Sequence, residues 1–199
     1  WYLQPDCNMP SGESFVRQVL LGRDYFLNKF GVTSTTAVNL DPFGHTRGLV
    51  QILRKSGYDS YLHCRPSPDQ CSLPDDDYIW VGYDGSEVLA HRSPSYNSPR
   101  GQAHQKVSEW IEKNKTRTNG LILWGVGNHG GGPSRTDLEN LTRLIETVRD
   151  RSIAHSTPEN YFKELDRSSL KRHPADVNPF ATGCYTSQIR MKQKHRLLE

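Results

Sequence analysis

Two short stretches carry the side chains best suited to chemistry. In NLDPFGH, residues 39–45, the carboxylate of Asp41 follows the apolar-leaning run TAVNL, and Pro42 and Gly44 turn the chain immediately afterwards. In NHGGGPS, residues 128–134, Asn128 and His129 follow the apolar run LILWGVG and precede three glycines. A carboxylate can act as a nucleophile, and a histidine can exchange protons near neutral pH. Consecutive glycines let backbone N–H groups approach an anion, but the GK[ST] ending of a nucleotide phosphate loop is missing. The residues leave two roles open for Asp41: capping its own turn, as Asp-Pro commonly does, or reacting. His45 reads as a hydrogen-bonded loop residue rather than a ligand. His63 and Cys64 are adjacent in a candidate strand, so they point to opposite faces and do not readily share a metal.

The elements around these stretches are legible from periodicity and punctuation. SGESFVRQVLLGRDYFLNKFG predicts a helix that Ser11 caps and Gly31 stops. Its apolar face comprises Phe15, Val16, Val19, Leu20, Phe26, Leu27 and Phe30. TSTTAVNL is β-branched and short, hence a strand. RGLVQILRKSG is a helix ending at Gly57, and YDSYLHCR a second strand. This alternation predicts an α/β domain with parallel strands, whose working residues gather on loops at the strands' C-terminal ends. Asp41, His45, Asn128 and His129 then face the same way. Asp84-Gly85 joins two alternating runs as a hairpin. QAHQKVSEWIEKNK is helical, LILWGVG a buried strand, and Ser134 with Asp137 opens a long helix. Thr157-Pro158 starts another helix. Residues 167–178 read as irregular, and GCYTSQIRMKQKHRLLE begins a last helix.

With 25 basic and 22 acidic residues among 199, charge is mixed, and no stripe of basic and aromatic residues predicts a nucleic-acid groove. The basic run Arg190, Lys192, Lys194, Arg196 reads as a solvated helix face. No apolar run approaches the roughly 20 residues of a membrane helix. Cys7, Cys64, Cys71 and Cys184 form no CxxC pair, which disfavours a zinc knuckle. Cys64 and Cys71 could pair in an oxidising compartment, but scattered thiols in a reducing one are the simpler reading, and a cytoplasmic location is expected. Trp1, inside a stretch that reads as mid-strand, gives the expectation of a segment cut from a longer protein.

Four stretches in order, QPDCNMPSGESFVRQ, NLDPFGHTRGLVQILRKSGYDSY, WVGYDGSEVLAHR and GVGNHGGGPSRTDLE, resemble glycoside hydrolase family 38, the retaining α-mannosidases. CYTSQIRMKQKHRLLE resembles the entry to that family's helical middle domain. The resemblance implies an α/β fold: part of a (β/α)7 barrel over residues 1–166, a linker over 167–178, and over 179–199 the start of a helical middle domain, a three-helix bundle. It implies hydrolysis of terminal α-D-mannosyl residues with retention, through a covalent glycosyl-enzyme on Asp41. Asp41 would also ligate Zn2+ or another divalent cation. Phe43, Arg65 and Asn128 would contact the substrate, with Arg65 orienting the nucleophile. The family's zinc-binding His-x-Asp pair is missing from this sequence and is expected upstream of Trp1. Where the family often has an aspartate acid, Asn128 and His129 stand, so His129 or a carboxylate elsewhere serves as acid/base. Where many members have a zinc-binding histidine, Ala181 stands, and Cys184 nearby could ligate the metal softly but reads rather as a buried structural thiol. These departures keep two alternatives: a non-catalytic carbohydrate-binding relative, and another metal-dependent hydrolase such as a deacetylase. An α-mannoside is the expected partner, with no nucleic acid and no membrane, and with homo-oligomerisation as a further expectation. The segment alone is expected to be inactive and prone to association.

Overall fold

The computed structural model describes residues 1–127, 131–178 and 180–199. Helix α1 spans Gly12–Phe30; the Ser11 hydroxyl accepts from the Ser14 amide, and the Gly31 N–H closes the last turn on the Leu27 carbonyl. Strand β1 (Thr36–Asn39), helix α2 (Leu49–Lys55) and strand β2 (Ser60–His63) follow, then the hairpin of β3 (Asp77–Val81) and β4 (Glu87–Arg92). Helices α3 (Ala103–Lys113), α4 (Arg135–Thr147) and α5 (Pro158–Glu164) come next, then β5 (Lys171–His173), α6 (Gly183–Thr186) and α7 (Ile189–Leu198).

The strands form one mixed sheet in the order β1-β2-β4-β3-β5. β1, β2 and β4 run parallel, β3 is antiparallel to β4, and β5 is parallel to β3. The chain divides into two compact units, one of residues 1–92 with 166–199, the other of residues 93–165. The first holds the sheet and buries Phe15, Val19, Leu53, Tyr58, Trp80 and Val88 in its core. The second packs Ala103 and Val107 of α3 against Leu141 of α4.

Four expectations need correction. LILWGVG is not a strand: among the described residues it pairs only through an isolated bridge of Val126 to Ser98, and a strand needs a neighbour to satisfy its backbone. Gly125, at φ 143°, also turns the backbone out of the extended region, and the Val126 N–H goes to the Gly132 carbonyl. The apolar face of α1 is only partly used. Phe15, Val19 and Gly22 are buried, while Val16, Leu20, Leu27 and Phe30 are exposed, because the sheet unit covers one side of the helix. The stretch read as irregular contains β5, an edge strand that gains its hydrogen bonds from β3. The last helix is broken into α6 and α7 by Ser187 and Gln188, the latter at φ 53°. Among the described residues, no helix is long and apolar enough to cross a membrane.

Candidate active site

β1 delivers Asp41 to a fixed place. Asn39, fully buried at the strand's end, donates through Nδ2 to the Pro5 carbonyl at 3.1 Å and to Cys7 Sγ at 2.9 Å. The next carbonyl, that of Leu40, accepts from the amides of Cys64 and Arg65, just past the end of β2. The backbones bearing Asp41 and Arg65 are therefore registered against each other before any side chain is considered. Arg65 Nε then donates to Asp41 Oδ1 at 2.6 Å. The two side chains are 42% and 40% exposed, and at such exposure an ion pair contributes about 1 kcal/mol or less. Its consequence is orientation rather than stability.

Phe43 sits two residues after Asp41 and packs edge-on against Phe180, with ring centroids 5.5 Å apart. The Arg65 guanidinium carbon lies 5.3 Å from the centre of the same Phe180 ring. Phe180 was not singled out from the sequence. Its signal is a lone aromatic in a polar stretch, and its route to the site is long-range: His45 and Val177 exchange backbone hydrogen bonds, both at 3.0 Å, which draws the segment after β5 onto the loop after β1. Gly44 permits that approach. A Cβ there would meet Asn178 Oδ1 at 1.8 Å, well inside contact distance, so a larger residue would push the Asn178 side chain away.

Beneath this cluster lies a layer of neutral polar side chains. His45 and His63 are both 0% exposed, as are Tyr61 and Tyr78. His45 Nε2 lies 2.8 Å and His63 Nδ1 2.9 Å from the carbonyl oxygen of Arg65. A carbonyl only accepts, so both nitrogens carry a proton. Each ring's other nitrogen then accepts, His45 Nδ1 from the Tyr61 hydroxyl at 2.6 Å and His63 Nε2 from the Tyr78 hydroxyl at 2.8 Å. Burial pushes His45 down to about 4 and His63 well below its ordinary value, so both rings stay neutral near pH 7. His45 is thus a hydrogen-bonded loop residue, in line with its sequence reading.

Asn128 and His129 lie outside the described residues. Ala181 adopts φ 50°, uncommon for a residue with a Cβ. Cys184 is exposed, not the buried thiol expected, because α6 buries none of its residues. None of the four cysteines forms a disulfide. The described residues contain no group of three or more His, Cys, Asp or Glu side chains able to hold a metal ion. Both nitrogens of His45 and of His63 are already engaged, so neither ring supplements Asp41. The described part of the chain does not make a zinc site by itself.

Comparison with known proteins gives the chain a family and its fold a counterpart. Residues 1–182 match the N-terminal domain of the glycosyl hydrolases family 38. Alpha-mannosidase G of Dictyostelium discoideum is 36% identical over 205 residues, a match that takes in 100% of this chain and 19% of that protein. Alpha-mannosidase 2C1 of Mus musculus is 33% identical over 205 residues, with 100% of this chain and 20% of that protein covered. The chain therefore spans about a fifth of the length of these relatives. Among solved structures, an alpha-mannosidase from Enterococcus faecalis V583 superposes with a TM-score of 0.69 at 18% identity, over 89% of this chain and 21% of that one. At that identity the likeness speaks for the fold alone. The match over residues 1–182, joined by relatives above 30% identity along the whole chain, means that this chain belongs to glycosyl hydrolase family 38.

Proposed function

We propose that this chain is part of the catalytic barrel of a retaining α-mannosidase and that Asp41 is its nucleophile. The relatives' names as alpha-mannosidases support the reaction class. The single observation that carries the assignment to Asp41 is its place past the end of β1 with Arg65 Nε 2.6 Å from its carboxylate. In this reading a carboxylate oxygen of Asp41 attacks the anomeric carbon of a terminal α-mannosyl residue. The bond to the leaving oxygen breaks as that oxygen takes a proton, and a glycosyl ester remains on Asp41. Water then attacks the anomeric carbon, gives up a proton, and releases mannose with the carboxylate restored. Arg65 holds one carboxylate oxygen so that the group does not rotate between steps. Phe43 and Phe180 supply an apolar wall against which the C–H face of a sugar can pack.

His129 as the proton donor and Asn128 as a substrate contact remain part of the proposal, as do the barrel itself, the linker 167–178 and a helical middle domain opening at 179. A divalent cation would take Asp41 as one ligand, with its other ligands outside the described residues. No step is derived through it.

The test is Asp41→Asn in the full-length protein, with a fluorinated mannosyl fluoride used on the unchanged protein to trap the intermediate. Turnover of an aryl α-mannoside should fall roughly a thousandfold or more, and the trapped sugar should be found on the peptide containing Asp41. Substantial turnover by Asp41→Asn, or a trapped sugar elsewhere, would defeat the assignment. Binding of mannosides without any turnover by the unchanged protein would instead favour a carbohydrate-binding relative. Acetate release from an acetylated polymer would favour a deacetylase.

A further inference from the structure

The Arg65 carbonyl receives two hydrogen bonds from two histidines on different elements, His45 on the loop after β1 and His63 at the end of β2. Each histidine is in turn held by a tyrosine, Tyr61 or Tyr78. The rings of His45 and His63 lie 5.0 Å apart, and Tyr61 stacks on His63 at 5.9 Å. The Arg65 amide is tied as well, to the carbonyl of Leu40 next to Asp41. Both polar groups of this one peptide residue are thus fixed, and its side chain reaches the carboxylate at 2.6 Å. Two fully buried histidines, each backed by a fully buried tyrosine, thus converge on the carbonyl of a residue whose own side chain is half exposed.

We propose that His45 and His63, each seated by its tyrosine, are positioning residues that clamp the Arg65 backbone and thereby aim its guanidinium at Asp41. The proposal rests on the reading of Asp41 as nucleophile. Neither histidine touches substrate or exchanges a proton in this scheme. They act only through Arg65, and they do so as neutral rings in opposite tautomers, His45 protonated on Nε2 and His63 on Nδ1. Displacing a reacting group by about 1 Å can cost on the order of a hundredfold in rate, so a loosened arginine should be felt in kcat more than in KM.

The test is a double-mutant cycle on kcat in the full-length protein with an aryl α-mannoside. His63→Phe should lower kcat between about tenfold and a hundredfold, with KM changed less. In an Arg65→Met background the same substitution should lower kcat by less than about twofold, because nothing is left to aim. His63→Asn places an amide N–H where Nδ1–H was and should recover most of the loss. Effects of His63→Phe and Arg65→Met that simply multiply, or no recovery by His63→Asn, would overturn the proposal. Should His63→Phe fail to fold, nitrogen shifts of 15N-histidine-labelled unchanged protein decide instead. The opposite tautomer at either ring would overturn the clamp, and the stated pair would support it. Asp41→Asn run alongside keeps the two ideas apart. Turnover surviving it defeats the nucleophile reading, whereas its loss together with merely multiplying histidine and arginine effects defeats the clamp alone.

Discussion

The two compact units differ in the polar groups that tie their loops in place. In the unit of residues 1–92 and 166–199, the layer beneath Asp41 and Arg65 is neutral: His45, His63, Tyr61, Tyr78 and Asn39, all 0% exposed, although the same unit also buries Arg92 and the Asp77–His91 pair. In the unit of residues 93–165, the anchors are formally charged. Lys106 spends its ammonium on the carbonyls of Ser95, Asn97 and Leu123, at 3.0, 2.9 and 2.6 Å. Asp137, fully buried, accepts from the Ala103 amide at the start of α3 and from Ser134 at the start of its own helix, α4. A charge taken out of water is tolerated when its partners are supplied, and here buried Asp137 and half-buried Lys106 tie loops and helix ends together. A neutral network costs less to bury and transmits direction, because each ring nitrogen has a single role. The charged groups act as fasteners, while the neutral ones set the aim of a half-exposed pair.

The sharpest way to break this contrast uses one residue type in both units. Asp41→Asn should abolish turnover, roughly a thousandfold or more, while the melting temperature moves little, because its ion pair is half exposed. Asp137→Ala should do the reverse. It removes a capping-box acid and strands the Ala103 amide, so unfolding of its unit should become easier by about 2–3 kcal/mol in chemical denaturation. If Asp137→Ala left stability unchanged, the charged anchors would be incidental. Phe180→Ala removes the aromatic that touches both Phe43 and Arg65, and kcat/KM should fall by about tenfold, or about 1.4 kcal/mol.

Acid separates the units by a smaller, graded effect. His45 is held down to about 4 by burial, against an ordinary value near 6.5. The unfolded chain therefore binds a proton there before the folded chain does. This contribution to stability is complete above about pH 6.5 and is lost progressively as pH falls toward about 4. Burial works against the charged form of Asp137, yet hydrogen bonds from Ser134 and from the amides of Ala103 and Gly101 hold its carboxyl below the usual carboxylate range. Its contribution persists until pH falls below about 3.9. Hydrogen exchange, corrected for intrinsic rates, should show peptides around 36–63 losing protection at higher pH than peptides around 103–141. The opposite order would refute the electrostatic contrast.

How much of this was legible follows from where each signal resides. The limits of α1 are local events at Ser11 and Gly31, and the turn at Asp84-Gly85 is local too, so residue types suffice to find them. The place of Asp41 at a strand end and its pairing with Arg65 follow from element order and resemblance. LILWGVG misleads because being a strand depends on a neighbour, and hydropathy carries no information about one. The exposed side of α1 is as apolar as its buried side, so periodicity could not tell which would be covered. Phe180 escaped because a bridge between His45 and Val177 brings it in. The clamp on Arg65 escaped for a different reason: its acceptor is a backbone carbonyl, which every residue type has.

That bridge also imposes an order of events on a ribosome. β1, β2 and the loop bearing Asp41 emerge early, yet the strip that braces the loop, Val177 to Phe180, arrives on the order of ten seconds later at ordinary rates of synthesis. Until then the nascent loop lacks that brace, so a pause or truncation before residue 177 would yield a sheet whose Asp41 loop is left unsupported.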